Sequence, residues 1–232
     1  MEALIKSSGI APEKVMRIPI GVDLDIFKPQ TAESRAQSRK VLDIPADAVV
    51  IGSFQKDGVG WGEGNEPKMI KGPDVFLEVI GKLKNEIPNL WVLLSGPARG
   101  YVKKGLEKLG VPYRHTYFKD YRDIAALYDA LDLYLVASRE EGGPKAVLES
   151  MAKSVPLVTT AVGQAADLVK HGENAMMSPI GDASLLARHS LDILKDQELK
   201  AKLTVGGFAT ATENSFEAQL PLWKEFFSYI RA

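Results

Sequence analysis

The 232-residue sequence contains no cysteine. That excludes disulfide frameworks, thiolate nucleophiles and cysteine metal sites, and it fits a reduced, cytoplasmic setting. Histidine is nearly as scarce: His115, His171 and His189 stand far apart with no HExxH or comparable ligand spacing, so no histidine metal centre is expected. Long hydrophobic runs are missing. The longest apolar stretches, 90–94 and 131–137, are far short of a bilayer span, and the first fifteen residues hold no apolar signal core. Charge of one sign is missing as well, because 29 basic and 30 acidic residues give a net charge of −1. No chain-wide footprint for nucleic acid or an anionic membrane exists.

What is present is an ordinary globular composition with 45% hydrophobic residues, too apolar for a disordered chain. Apolar runs of strand length alternate with segments of helical period. The pattern predicts strands at 49–54, 90–95, 114–118, 131–137, 157–160 and 175–178, and helices at 73–84, 102–109, 123–130, 145–153 and 183–195. Such alternation implies an α/β fold, a Rossmann-like parallel sheet with helices on both faces. Ligands of open parallel sheets bind beyond the carboxyl ends of the strands. The segments 55–72, 96–101, 138–144 and 161–164 are therefore the candidate site loops. Phe216, Leu220, Trp223, Phe227 and Ile230 form one stripe at steps of four and three, which fits a terminal helix packed on this domain or reaching a second one, kinked or delayed by Pro221.

Two constellations carry chemistry. The first, SREEGGPKAVLESMA at 138–152, reads as strand end, glycine turn and helix start. Gly142 and Gly143 let a ligand approach the backbone, Pro144 suits the first helical position, and the free N–H groups of the next turn, from Lys145 on, favour an anion such as a diphosphate. Glu141 and Glu149 can face one crevice and accept hydrogen bonds from vicinal hydroxyls; equally, Glu141 can serve the helix dipole and Glu149 a solvated face. The second constellation is Ser53-Phe54-Gln55-Lys56, a glycine-rich stretch DGVGWGEGNEP, and then Lys68 and Lys71-Gly72-Pro73-Asp74. Neither a GxGxxG nor a P-loop register passes through it. Lys56 and Lys71 bracket the loop within reach of phosphate oxygens, where opposite charges about 4 Å apart attract by on the order of 4 kcal/mol before desolvation. The loop itself reads as a lid with Trp61 as an apolar latch, or as a plain excursion.

With these residues assembled, the chain resembles the C-terminal, donor-binding half of a retaining GT-B glycosyltransferase of family 4, also called glycosyl transferases group 1. RIPIGVDLDIF at 17–27 is similar to the family's linker phrase IPNGVD…F, with Ile20 in place of Asn. Lys71-Gly72 resembles its KG, Ser95-Gly96-Pro97 the glycine-containing end of the second strand, Glu141 and Glu149 the E-x7-E motif, and 155–175 the stretch around its GG turn, with Gln164 for the second Gly.

The resemblance implies transfer of a sugar from a nucleotide-diphosphate donor of UDP or GDP type to an acceptor hydroxyl, with retention, no bound metal and no further cofactor. It assigns Glu149 to the ribose, Glu141 to the donor sugar, and Lys71 and Lys56 to the phosphates. Ser53 occupies the family's usual Gly-Arg position, so Lys56 carries over by a shifted register, with Gln55 beside it. Gly142-Gly143-Pro144-Lys145 replaces the common G-F-G-L between the glutamates, Gly96 is counted among the nucleotide-sugar-binding residues, and the base is placed near the loop before 124–128, at Phe118, Lys119 and Tyr121. Residues 1–16 then read as the remnant of a missing N-terminal acceptor domain, 17–215 as the nucleotide-sugar-binding domain and 216–232 as a C-terminal helix. The chain alone is expected to bind donor and transfer poorly, with the parent protein cytoplasmic or peripheral at a membrane. The alternatives are a non-catalytic nucleotide-sugar-binding module and a GT-B epimerase or phosphorylase.

Overall fold

The computed structural model describes residues 5–230, with the side chains of residues 229 and 230 excepted. The outermost parts of the expected terminal segments, 1–4 and 231–232, and the Ile230 side chain lie outside the described residues. Six strands form one parallel sheet: β1 Val49–Phe54, β2 Leu90–Ser95, β3 Tyr113–Thr116, β4 Leu133–Val136, β5 Leu157–Thr160 and β6 Met176–Ser178. Their order is β3-β2-β1-β4-β5-β6. The chain winds outward from β1 to β3, returns, and winds the other way from β4, so the switch point lies between β1 and β4.

The strands are apolar on both faces because both are covered. Val50, Leu93, Tyr134, Val136 and Leu157 enter one layer, and their alternating neighbours Ile51, Val92, Leu94, Leu133, Leu135 and Val158 enter the other. The second layer is closed by α2 (Pro73–Lys84) and α3 (Gly100–Leu109), which bury Phe76, Ile80, Leu83 and Leu106, and by α7 (Ala183–Lys195). The first is closed by α4 (Ile124–Tyr128) and α5 (Lys145–Ala152) through Tyr128, Leu148 and Met151. Each such fully buried side chain contributes roughly 1.5–3 kcal/mol.

Three further helices have no counterpart among the sequence expectations. In α1 (Ala32–Val41) the apolar face is thin, and a capping box between Thr31 and Ser34 starts it instead. The four-residue α6 (Ala165–Leu168) follows β5. In α8 (Gln197–Glu213) Gly206 and Gly207 obscure the helical signal; a Cβ at Gly206 would lie 2.3 Å from the Glu173 carbonyl oxygen, so the glycine permits close packing. The expected helix at 123–130 is shorter, a 3-10 turn Tyr121–Asp123 running into α4.

The terminal helix α9 (Phe216–Ile230) continues through Pro221. Its apolar stripe is left largely uncovered: Phe216, Leu220, Trp223 and Phe227 are exposed, while Gln219, at the edge of the stripe and lining the same cavity as Phe216 and Trp223, is buried. The segment around Val22, part of the core, is tied to the base of this helix, with Phe216 N–H donating to the Val22 carbonyl and Val22 N–H to that of Asn214. No helix among the described residues is long and apolar enough to cross a membrane.

Candidate functional site

Beyond the carboxyl ends of β1 and β4 lies a cavity of about 340 Å³. The end of β1 brings Phe54, Gln55 and Lys56 to it; the turn before α2 brings Lys68 and Lys71; the loop after β4 brings Glu141 and Gly143; the first turns of α5 bring Lys145, Ala146 and Glu149. Four lysines face two glutamates, an excess of positive charge suited to an anionic ligand.

Lys71 is placed by backbone geometry. It ends a 3-10 turn, Met69–Lys71, and Gly72 then takes a left-handed conformation (φ +61°) where a Cβ would stand 1.9 Å from the Ala137 carbonyl oxygen. Only glycine allows this turn to press against the end of β4. The loop after β4 locks on from the other side: the N–H groups of Arg139 and Glu140 both donate to the Ile70 carbonyl, and the Arg139 guanidinium donates to both Asp74 carboxylate oxygens at 2.7 Å. With the two loops fixed, Lys71 Nζ donates to both Glu141 oxygens at 2.6 Å, and Ser138 Oγ donates to Glu141 Oε1 at 2.9 Å.

Glu149, one turn into α5, is 4% exposed, so the solvated-face alternative does not hold. Tyr128 Oη donates to its Oε2 at 2.8 Å, and the Tyr121 hydroxyl donates to its Oε1. Burial pushes the carboxyl pKa up, and the two tyrosine hydrogen bonds and the charge of Lys145 pull it back part of the way. Beneath it, the rings of Phe54, Tyr128 and Tyr134 pack edge-on or tilted with centroids 4.9–5.3 Å apart, a rigid aromatic floor.

A second cavity of about 310 Å³ adjoins the first and shares Phe54, Gln55, Lys56, Tyr121 and Ile124 with it. Gly96, Phe118 and Lys119 line it. Here Gly96 has φ +95°, and a Cβ would come 2.7 Å from the Gln55 carbonyl oxygen, so β1 and β2 end in direct backbone contact.

Not every expected residue faces these cavities. Ser53 is buried and turned away, its carbonyl and hydroxyl both accepting from Arg99. Gly142 lines a different crevice, between the 17–20 segment and Gln164. Pro144 stands one residue before the helix rather than at its first position. Trp61 is 84% exposed and meets Lys56, whose Nζ lies 3.6 Å from the ring centroid, rather than either cavity. The glycine-rich stretch is anchored: Gly58 bridges to Pro67, and the Glu63 and Gly64 carbonyls accept from the first N–H groups of α3.

Several residues here carry no local sequence signal. Arg99, wholly buried, pairs with buried Asp57 at 3.0 Å and donates to the carbonyls of Ser53, Gln55 and Ser95, tying together the ends of β1 and β2. Desolvation pushes the Asp57 pKa up and the Arg99 pKa down, each against the pull of the other charge. The departure at Gln164 has a structural use, since its side-chain amide accepts from the Ile20 N–H at 3.0 Å and donates to the Ile20 carbonyl at 2.9 Å. Among the described residues no cluster suited to a metal ion occurs.

A doubly wound sheet with an anion-suited crevice at its switch point is the architecture of a Rossmann-like ligand-binding domain. Residues 66–207 match the family described as Glycosyl transferases group 1, and the chain belongs to that family. It is 31% identical over 175 residues to the lipopolysaccharide core biosynthesis glycosyltransferase LpsE of Rhizobium meliloti, covering 75% of this chain and 48% of LpsE. To the mannosyltransferase LpsB of the same organism it is 25% identical, covering 92% of this chain and 61% of LpsB. The chain thus spans roughly half the length of these curated relatives. Its fold is that of HepE from Anabaena, solved in complex with UDP, at a TM-score of 0.82 and 22% identity over 98% of this chain and 61% of HepE.

Proposed function

We propose that this chain is the donor-binding half of a family 4 glycosyltransferase, taking a nucleotide-diphosphate sugar of UDP or GDP type for transfer to an acceptor hydroxyl with retained configuration. The observation that carries the reading is the convergence of Lys56, Lys71, Lys145, Glu141 and Glu149, from three separate segments, on one cavity at the switch point. HepE, solved in complex with UDP and with UDP-glucose, supports a nucleotide-sugar donor for this chain too.

In this reading the base enters the cavity lined by Gly96, Phe118 and Lys119, the ribose hydroxyls donate to Glu149, and the diphosphate lies among Lys56, Lys68, Lys71 and the first turn of α5. As the bond within the donor between the anomeric carbon and the β-phosphate oxygen breaks, the nucleoside diphosphate leaves and negative charge grows on its β-phosphate. Lys71 and Lys56, once drawn to the phosphates as the donor binds, meet that charge with donors in place when the bond breaks, which lowers the barrier. Glu141 releases Lys71 to the phosphate and takes a hydroxyl of the donor sugar. An N-terminal acceptor domain, preceding the 17–27 phrase and contacted by the exposed stripe of α9, supplies the acceptor site and closes the cleft. The cytoplasmic setting expected from the cysteine-free composition belongs to the same reading.

The test is a thermal-shift titration of the purified chain with UDP, GDP, ADP and their sugar conjugates, with Glu149→Ala as control. Ligand at about 100 times its Kd adds roughly 2.7 kcal/mol, about 5–10 °C for a domain of this size. A shift with one nucleotide class that Glu149→Ala abolishes is the expected result. Equal shifts in both proteins would remove Glu149 from the donor site.

A further inference from the structure

Glu149 is the residue the donor reading assigns to ribose; it lines the phosphate-side cavity, yet a ribose hydroxyl arriving there meets carboxylate oxygens that already have hydroxyl donors. The carboxylate is almost wholly buried, and both oxygens already accept hydroxyl hydrogen bonds. The two donors differ in kind. Tyr128 is wholly buried in the aromatic floor and cannot leave without opening the core. Tyr121 is 47% exposed and stands on the short 3-10 turn before α4, outside the sheet layers.

The position of Tyr121 is that of a partition. Its side chain lines the phosphate-side cavity, the adjoining cavity with Gly96 and Phe118, and a third, apolar cavity of about 550 Å³ toward Phe27 and Trp223. Its ring lies under Lys145 Nζ, 4.7 Å from the centroid, and tilts against Phe27 at 5.9 Å. The closed arrangement therefore occupies three groups at once: the hydroxyl covers Glu149, the ring holds the Lys145 ammonium, and the body of the side chain separates two cavities that one nucleotide would have to span.

We infer that Tyr121 is a ribose-mimicking gate: in the free protein its hydroxyl holds the place on Glu149 that a ribose hydroxyl takes, and nucleotide binds only by displacing it. The inference rests on the donor-site reading and deepens it. The exchange is one hydroxyl donor for another on the same carboxylate oxygen, so the buried charge stays satisfied throughout. Displacement joins the two cavities and frees Lys145 for the phosphates. Because the nucleotide must compete with an internal donor, the free protein holds its site closed, and apparent affinity is the intrinsic affinity multiplied by the small fraction of molecules that are open.

A gate and a direct contact predict opposite signs. Calorimetric titration of the 232-residue chain and of Tyr121→Phe with UDP and GDP, each beside its 2′,3′-dideoxy counterpart, separates them. Phenylalanine keeps the ring, the packing on Phe27 and the contact with Lys145, and removes only the competing hydroxyl. The expected result is about tenfold tighter binding of the accepted nucleotide to Tyr121→Phe, with a gain of the same size for the dideoxy nucleotide, which must open the same partition, and weaker binding of the dideoxy form to both proteins for want of a hydroxyl to place on Glu149. Unchanged or weaker binding to Tyr121→Phe, or no loss of affinity in either protein on removing the ribose hydroxyls, would overturn the ribose-mimicking gate while leaving the donor site intact. Failure of both proteins to bind either ribonucleotide would overturn the donor reading and the gate together. A merely structural role for the hydroxyl would lower the melting temperature of Tyr121→Phe without raising its affinity.

Discussion

Lys71 and Glu141, seventy positions apart in the sequence, close on each other with Lys71 Nζ 2.6 Å from both carboxylate oxygens. The pair forms because a left-handed glycine seats one loop on the end of β4 and the Arg139–Asp74 clamp seats the other. Both charges belong to the proposed donor site, and each neutralises the other until a phosphate arrives. Removing them one at a time should therefore move nucleotide affinity in opposite directions. Lys71→Ala is expected to weaken UDP or GDP binding at least tenfold. Glu141→Gln frees the ammonium and is expected to tighten it severalfold, even as it lowers sugar transfer in a complete enzyme. Isothermal titration of the two variants checks the signs, and weakening in both would mean that Glu141 itself holds the nucleotide.

Glu149 makes binding depend on pH. Its folded-state pKa is raised by burial, so the folded chain holds a proton that the unfolded chain releases at about 4.5. Stability from this group is fully present below that ordinary value and falls as pH rises through the raised one. Nucleotide affinity runs the other way, because the ionised carboxylate is the better acceptor for ribose. UDP or GDP affinity should fall as the solution is acidified toward pH 4.5, over a window starting above the usual carboxylate range. In Glu149→Gln the relative stability loss at high pH and the acid-side loss of affinity should both disappear. Melting temperatures and titrations across pH 4–8 provide the check.

The buried Asp57–Arg99 pair holds the strand ends that carry Gln55, Lys56 and Gly96. Breaking such a pair from one side leaves an uncompensated charge in the interior and costs about 3–5 kcal/mol. Asp57→Ala should thus lower the melting temperature by roughly 6–20 °C. Replacing both residues together, Asp57→Leu with Arg99→Met, should recover much of that loss, while leaving nucleotide affinity reduced because the carbonyls of Ser53, Gln55 and Ser95 lose their common donor. Full recovery of affinity in the double variant would show that the pair supports the sheet and not the site.

Gly72 offers a sharper geometric test. A methyl group there cannot fit against the Ala137 carbonyl, and the backbone is left-handed. Gly72→Ala should displace the Lys71 turn, destabilise the domain by about 1–3 kcal/mol and abolish the Lys71–Glu141 pair. A crystal structure of Gly72→Ala with the pair unchanged would contradict this account of how Lys71 is placed.

Much of the fold is legible along the chain. The strands at 49–54, 90–95 and 157–160 and the helices at 73–84 and 183–195 agree with their observed bounds to the residue, because buried parallel strands are continuous apolar runs and their covering helices show a clear period. The helix at 32–41 escapes the same reading since its sequence, AESRAQSRKV, has little apolar face, and α8 escapes because two glycines interrupt it. At the site, Lys56, Lys71, Lys145, Glu141 and Glu149 are brought to one cavity, as their positions at strand ends and helix starts suggest. Where side chains point is another matter. Alternation along β1 turns Ser53 inward to Arg99, and neither the burial of Arg99 nor the two tyrosines on Glu149 leaves any local trace, since each depends on partners 21 to 46 residues away.

The central claim is that one nucleotide spans the crevice at the β1–β4 switch point. The most direct measurement is backbone amide NMR of the chain titrated with UDP and with GDP. For one of them, saturable shifts should concentrate at 54–56, 71–72, 96, 118–121 and 141–149, with the rest of the sheet unmoved. Shifts confined to other surfaces, or none at millimolar concentrations of either nucleotide, would contradict it.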